Sequence, residues 1–336
     1  MFEISGRVGR PVGEAVSHAA PLEIGTEFVH LCERHGLAAL IFEQLTVEQV
    51  HMPQVTRQAF EAATRRTLGQ ARKVQKLTGR VLDVLNAVNI TPVALKGYGL
   101  AKRLYPNALV RVSSDVDVLV AAHEVEPALK AVESLGLTPQ HRPAVGDEHH
   151  EIALEGPAGL VELHHELFRV FGRGAITAAE VLRRSSTSTL DGRPVKVLHP
   201  EDELLYLAVH AANHSFLRAA WLVDIMLAAR HHGLRWAALF QEARSAHVLA
   251  SFTTALLVCE SALGPGALPP EALHTLKRAD ALTTLFSKER LGTARVAEHR
   301  VGAFVSRLLM NDTVTDAGLE VARGLRRALR QVRAAW

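Results

Sequence analysis

Apolar residues recur at helical spacing near the start of the chain. Phe28, Leu31 and Cys32 are followed by Leu37, Leu40, Ile41 and Leu45, and Val74, Leu77, Val81, Leu82 and Leu85 extend the pattern. Steps of three and four place such side chains on one helix face, so residues 24–90 read as helical. The pattern changes at Ile90-Thr91-Pro92. Short β-like runs follow at 93–95, 112–120, 151–154 and 161–167, with one helix, 124–135, after the second run. Gly156-Pro-Ala-Gly159 joins two alternating runs, and Asp191-Gly192 joins Ser188–Leu190 to Pro194–Leu198 as a hairpin. After His199-Pro200 the helical period returns. Its first helix opens with Pro200 and three acids, as the helix dipole prefers. Further helices are predicted over 217–231, 235–264, 270–310 and 315–334. The expected fold is α+β: a small core of mixed sheet and helices at 91–198, between an N-terminal helical region, 1–90, and a C-terminal helical domain, 199–336.

Composition narrows the class. With 48% hydrophobic and 22% charged residues in 336, the chain can bury a sizeable core, which excludes disorder, collagen and coiled coil. Cys32 and Cys259 form no CxxC pair, so a disulfide scaffold and a thiolate zinc site are excluded. The N-terminus lacks the apolar core of a signal peptide, and no apolar run approaches the ~20 residues that span a bilayer. The expectation is a cytoplasmic protein with no membrane partner. The 38 basic residues comprise 30 Arg and 8 Lys. Arginine-rich, lysine-poor usage follows from GC-rich coding and names no partner, but it makes each lysine worth weighing.

The informative stretch is Lys96-Gly97, then Arg111-Val-Ser-Ser-Asp-Val-Asp-Val. On a strand, residues two apart share a face, so Asp115 and Asp117 point one way while the valines point into a core. Two carboxylates about 6–7 Å apart repel unless a cation sits between them, and oxygen ligands of this kind suit Mg²⁺. Val161-Glu-Leu-His164 supplies a third acid, Glu162, mid-strand between apolar neighbours where a carboxylate needs a partner. Three carboxylates on two strands can hold two divalent ions, which is machinery for phosphoryl or nucleotidyl transfer. Lys96-Gly97 lies at a strand end just before a helix, a place suited to phosphate. Lys96 offers a point charge and Arg111 a forked donor. His164 and Glu166 share the Glu162 face, and His164 is expected to orient a carboxylate or act as a base.

The order strand, Lys-Gly, helix, Arg, Asp-x-Asp strand, helix and a hairpin ending in Val-Glu-Leu-His resembles the bacterial nucleotidyltransferase family of the DNA polymerase β superfamily, in its stand-alone form. Asp202-Glu-Leu-Leu-Tyr-Leu-Ala-Val-His210 and Trp221-Leu-Val-Asp224 resemble that family's helical part, so the likeness covers about 91–230. It implies a palm-like core, two Mg²⁺ ions (or Mn²⁺), an NTP donor, first of all ATP, and transfer of NMP to an acceptor hydroxyl. By position Asp115 and Asp117 match the metal pair, Glu162 the third carboxylate, and Lys96-Gly97 the phosphate turn. The wider superfamily carries Gly-Ser in that turn, so Ser113 or Ser114 is expected to supply the missing serine contact. It also carries aspartate where Glu162 stands. The candidate acceptors for this mildly charged chain are a small-molecule or peptide natural product, a protein side chain and a tRNA end, in that order.

Two rival readings belong beside this one. The acids persist in a catalytically silent NTP-binding module as well as in an enzyme. Eighteen histidines, with His149-His-Glu151, His164-His-Glu166 and the i, i+4 pair His210 and His214, also fit a His-rich Zn or Fe hydrolase. Arg323, Arg326, Arg327, Arg330 and Arg333 form a basic stripe on the last predicted helix, which reads first as a solvated face and second as a surface for RNA phosphate.

Overall fold

The computed structural model describes residues 24–141, 150–168, 176–231 and 233–276. The predicted helices beyond 276, including the arginine stripe, lie outside the described residues. The helical start divides into α1 (Thr26–Arg34), α2 (Ala38–Val47) and α3 (Gln54–Ala87). Gly36 makes the first break at φ +73, where a Cβ would lie 2.7 Å from Val112 Cγ1, and Pro53 stands at the N-cap of α3. Every third or fourth residue of α3 from Val74 to Leu85 is buried, as the spacing predicts.

Seven strands follow: β1 (Val93–Ala94), β2 (Asp115–Leu119), β3 (Thr138–Pro139), β4 (Glu151–Gly156), β5 (Gly159–His164), β6 (Ser186–Leu190) and β7 (Arg193–Val197). They form one mixed sheet in the order β3-β4-β5-β2-β1-β7-β6. The helix α4 (Gly97–Leu104) follows β1, α5 (Val125–Glu133) follows β2, and α6 (Ala178–Arg184) precedes β6. The second strand is shorter than its apolar pattern suggests, because Val112–Ser114 lie ahead of the ladder. One sheet face, with Val116, Val118, Val161 and Leu163, packs in a core with α3 and α5.

The other side meets α7 (Pro200–Asn213), α8 (Ala219–Ala229), α9 (Trp236–Ser245), α10 (Leu249–Leu263) and α11 (Pro270–Leu276). The predicted helix 235–264 is two helices: Ala246–Val248 interrupt it, with His247 at φ 57. Val93, Leu95, Leu119 and Leu198 share one hydrophobic cluster with Leu204, Leu205, Ala208 and Phe252. Packing is therefore continuous across the 198/199 boundary that the change of secondary structure suggests.

Candidate active site

The alternation of β2 builds the site. Val116 and Val118 enter the α3 core, which turns Asp115 and Asp117 to the opposite face. Strand β5 pairs with β2 in parallel, with Asp117 opposite Glu162. A carboxylate from each of two adjacent strands, with His164, thus brings ligand atoms to within 4.8 Å of one another. Strand β4 runs antiparallel on the far side of β5 and sets Glu151 opposite His164. Glu151 gathers with His150 and His164 in a second group of the same tightness.

Lys96 enters from the sheet edge of α4. Gly97, at φ +68, makes the turn that aims it; a Cβ there would sit 3.3 Å from Ser113 Oγ and 3.4 Å from the Asp115 carbonyl oxygen. Lys96 Nζ lies 2.8 Å from Asp117 Oδ1 and 3.5 Å from Glu162 Oε2, with both partners largely out of solvent. Burial disfavours this ammonium, but the Asp117 and Glu162 carboxylates more than reverse that and push its pKa well above the lysine range. His164 Nε2 stands 3.5 Å from Asp117 Oδ1 and 3.7 Å from Glu162 Oε2, and its Nδ1 stands 3.5 Å from Glu151 Oε2. Burial opposes its charge as well, yet the surrounding acids raise it to about 9. Glu162 is held below the ordinary carboxylate range: burial works against ionisation, and His164 and Lys96 outweigh it. Glu151 is raised by burial and by Glu162, with His164 opposing.

The residues fit a divalent cation. Asp117 is 2% exposed, and its Oδ2 is buried with no hydrogen bond. Such an oxygen is costly unless something positive reaches it. Two cationic side chains, Lys96 and His164, converge on the same carboxylates, so the demand for positive charge is built into the fold. The tight group contains Asp117 and Glu162 but not Asp115. Asp115 stands one pleat away on the same cavity, with Ser113 Oγ donating to its Oδ1 at 3.1 Å.

Other expected residues fall differently. Arg111 lines the cavity, but its fork faces inward: Nη2 donates to Asp224 Oδ2 at 2.7 Å and Nε to Oδ1 at 3.0 Å. Tyr105 donates to Asp224 Oδ1 at 2.7 Å. A phosphate would therefore meet a guanidinium already held by the buried carboxylate of Asp224. Ser114 lines the cavity beside Ser113. Glu166 leaves the expected face because β5 ends at His164, and its Oε2 accepts from the Ala178 N–H at the start of α6. His210 and His214 lie with ring centroids 4.6 Å apart, against Trp221 at 5.1 and 5.4 Å. Neither joins a metal-ligating group of three among the described residues.

Lys96, Arg111, Asp115, Glu151, Glu162 and His164 line a cavity of about 520 Å³ between the sheet and α7, α8 and α10. Glu151 is the member that reading along the sequence had not placed. The signal was there: in a hairpin closed by Gly156 and Gly159, counting back along β4 and forward along β5 sets Glu151 beside His164.

Adjacent parallel strands carrying opposed acids, with a Lys-Gly turn at a helix start beside them, define a nucleotidyltransferase core. The whole-chain comparison agrees. The chain belongs to the family described as uncharacterised nucleotidyltransferase, whose profile matches residues 25–264. Among solved structures it is similar to the antibiotic-resistance factor ANT(2'')-Ia, with 15% identity over 54% of this chain and 94% of that one, at a TM-score of 0.39. It is also similar to an antigenic nucleotidyltransferase-like protein from Paracoccidioides brasiliensis, with 18% identity over 66% and 92% of the two chains, at a TM-score of 0.30. No curated protein matches. Among the described residues no helix is long and apolar enough to cross a membrane.

Proposed function

We propose that the chain moves an NMP unit from an NTP, with ATP the first donor to test, to an acceptor hydroxyl, releasing pyrophosphate. The observation that carries this is the register of Asp117 against Glu162, with the Lys96 ammonium drawn between them. Residues 91–198 would supply the transfer chemistry and the helices after 199 a wall of the acceptor cleft. Asp115, Asp117 and Glu162 would hold one or two Mg²⁺ ions, or Mn²⁺, which when bound neutralise the triphosphate and lower the pKa of the attacking hydroxyl. Gly97 lines the cavity with no side chain of its own beside Ser113, so the backbone N–H groups at the start of α4 would be open to phosphate. Lys96, released from the acids, would add its charge to the phosphates. His164, whose pKa the surrounding acids raise to about 9, would orient Asp117 and Glu162.

The test is incubation with Mg²⁺ and each labelled NTP in the presence of a cell extract as acceptor source, comparing the native chain with Asp117→Asn. The expected outcome is a labelled product and a fall in pyrophosphate release of about 10²–10³-fold in the variant. NTP binding without pyrophosphate release would favour the silent module, and absence of NTP binding would overturn the proposal. A second reading rests on His150, Glu151 and His164, whose two imidazoles and one carboxylate suit a transition metal. Stoichiometric zinc or iron in the purified protein, lost in His150→Ala, would support it.

A further inference from the structure

The cavity is electrically two-sided. Its lining carboxylates, Asp115, Glu151 and Glu162, all come from the sheet. The opposite wall, from α7, α8, α10 and the turns between them, contributes no carboxylate. Asp224, the acid that α8 does carry close by, is fully buried and bonded to Arg111 and Tyr105. The wall instead offers flat rings. Trp221 stands against His210 and His214, and Tyr206 continues the series at 6.1 Å from His210 toward His164. Burial, reinforced by Lys96, keeps His210 uncharged. At the mouth, Arg218 lines the cavity, is exposed, and makes no ion pair among the described residues.

We infer that this wall is the acceptor subsite and that it selects a flat, hydroxyl-bearing acceptor carrying an acid group, a carboxylate or phosphate, and rejects amine-bearing cations. The inference rests on the nucleotidyltransferase reading and adds the class of acceptor to it. A ring laid against Trp221 gains stacking contact, and its acid group meets the Arg218 guanidinium. A cationic acceptor would find no carboxylate on that wall, and it would have to approach Arg218. Specificity of this kind comes as much from the repulsive partner as from the attractive one. The acceptor hydroxyl then points across the cavity toward Asp115 and Glu162.

The experiment uses the full chain with Mg²⁺ and a non-hydrolysable ATP analogue. Nucleotide binding is titrated first. Three probes follow, with binding read by saturation-transfer NMR: 4-hydroxyphenylacetate, which is flat and anionic; tyramine, flat and cationic; and 4-hydroxycyclohexylacetate, anionic but not flat. The expected result is that 4-hydroxyphenylacetate binds about tenfold tighter than either of the others. Arg218→Gln should abolish its advantage over tyramine, Arg218→Lys should keep part of it, and Trp221→Ala should abolish its advantage over the cyclohexyl probe. Equal or tighter binding of tyramine, a preference unmoved by Arg218→Gln, displacement of the probe by the nucleotide analogue, or no probe binding at all by a chain that binds nucleotide would overturn the inference alone. A chain that binds no nucleotide would overturn the reading beneath it.

Discussion

At the residue scale, Lys96 and His164 explain how two adjacent strands can keep Asp117 and Glu162 so close. Each is a buried cation that would be costly alone and is held charged by the carboxylates it serves. Lys96 and the proposed divalent ion would compete for the same oxygens. Lys96→Met is expected to bind Mn²⁺ about tenfold more tightly in the nucleotide-free state, measured by electron paramagnetic resonance titration. The same variant should bind NTP more weakly. Weaker Mn²⁺ binding would show that the ammonium does not compete. His164 gives a pH signature. Its folded pKa, about 9, lies above its ordinary value of 6.5, so the folded state holds its proton more tightly than the unfolded chain. The resulting stability is fully present below pH 6.5 and is lost as pH rises through 9. Urea midpoints of the metal-free protein should fall across that window, and His164→Gln should flatten the fall.

At the element scale, what the sequence disclosed depended on distance along the chain. Strand β2 was legible because its own alternation of Val and Asp declares two faces, and β5 because Glu162 is an acid between apolar neighbours. The 193–197 strand and its partner were marked by Asp191-Gly192. By contrast, the Arg111–Asp224 pair joins residues 113 positions apart, and nothing local distinguishes it from an arginine aimed at phosphate. The break at His247 was hidden because apolar residues flank it closely, Ala243 and Ala246 before it and Val248 and Leu249 after it. The Arg111–Asp224 pair ties α8 to the segment entering β2. Removing one partner leaves a buried charge, so Asp224→Ala is expected to cost about 3–5 kcal/mol in chemical denaturation. An Arg111→Met, Asp224→Leu double variant should regain much of that loss, which a merely weakened surface contact would not show.

At the scale of the whole molecule, the sheet is closed on one side by α3 and α5 and on the other by the helices that also wall the cavity. The apparent three-part organisation of the sequence, helices, core and helices, is a division of secondary structure. Val93, Leu95 and Leu119 of the core are covered by side chains from α7 and α10, so residues 91–198 alone would expose them. Expressed alone, that segment is expected to lack the dispersed amide spectrum of a folded domain, while the full chain shows it. The cavity exists only in the complete packing, since one wall belongs to the sheet and the other to helices more than 40 positions later in the chain.

Strand β2 has one further consequence. The same five residues carry Val116 and Val118 into a packed interior and turn Asp117 to the opposite face, against Lys96. The two faces share a backbone, so any relaxation around the valines is transmitted to the carboxylate as a displacement. Chemistry that needs its groups placed to within about an ångström loses about 10²-fold when they drift that far, whereas a single shortened valine costs only ~1–2 kcal/mol of stability. Turnover is thus the finer strain gauge for this core. In a series of interior variants, the catalytic rate should report damage well before the melting temperature does.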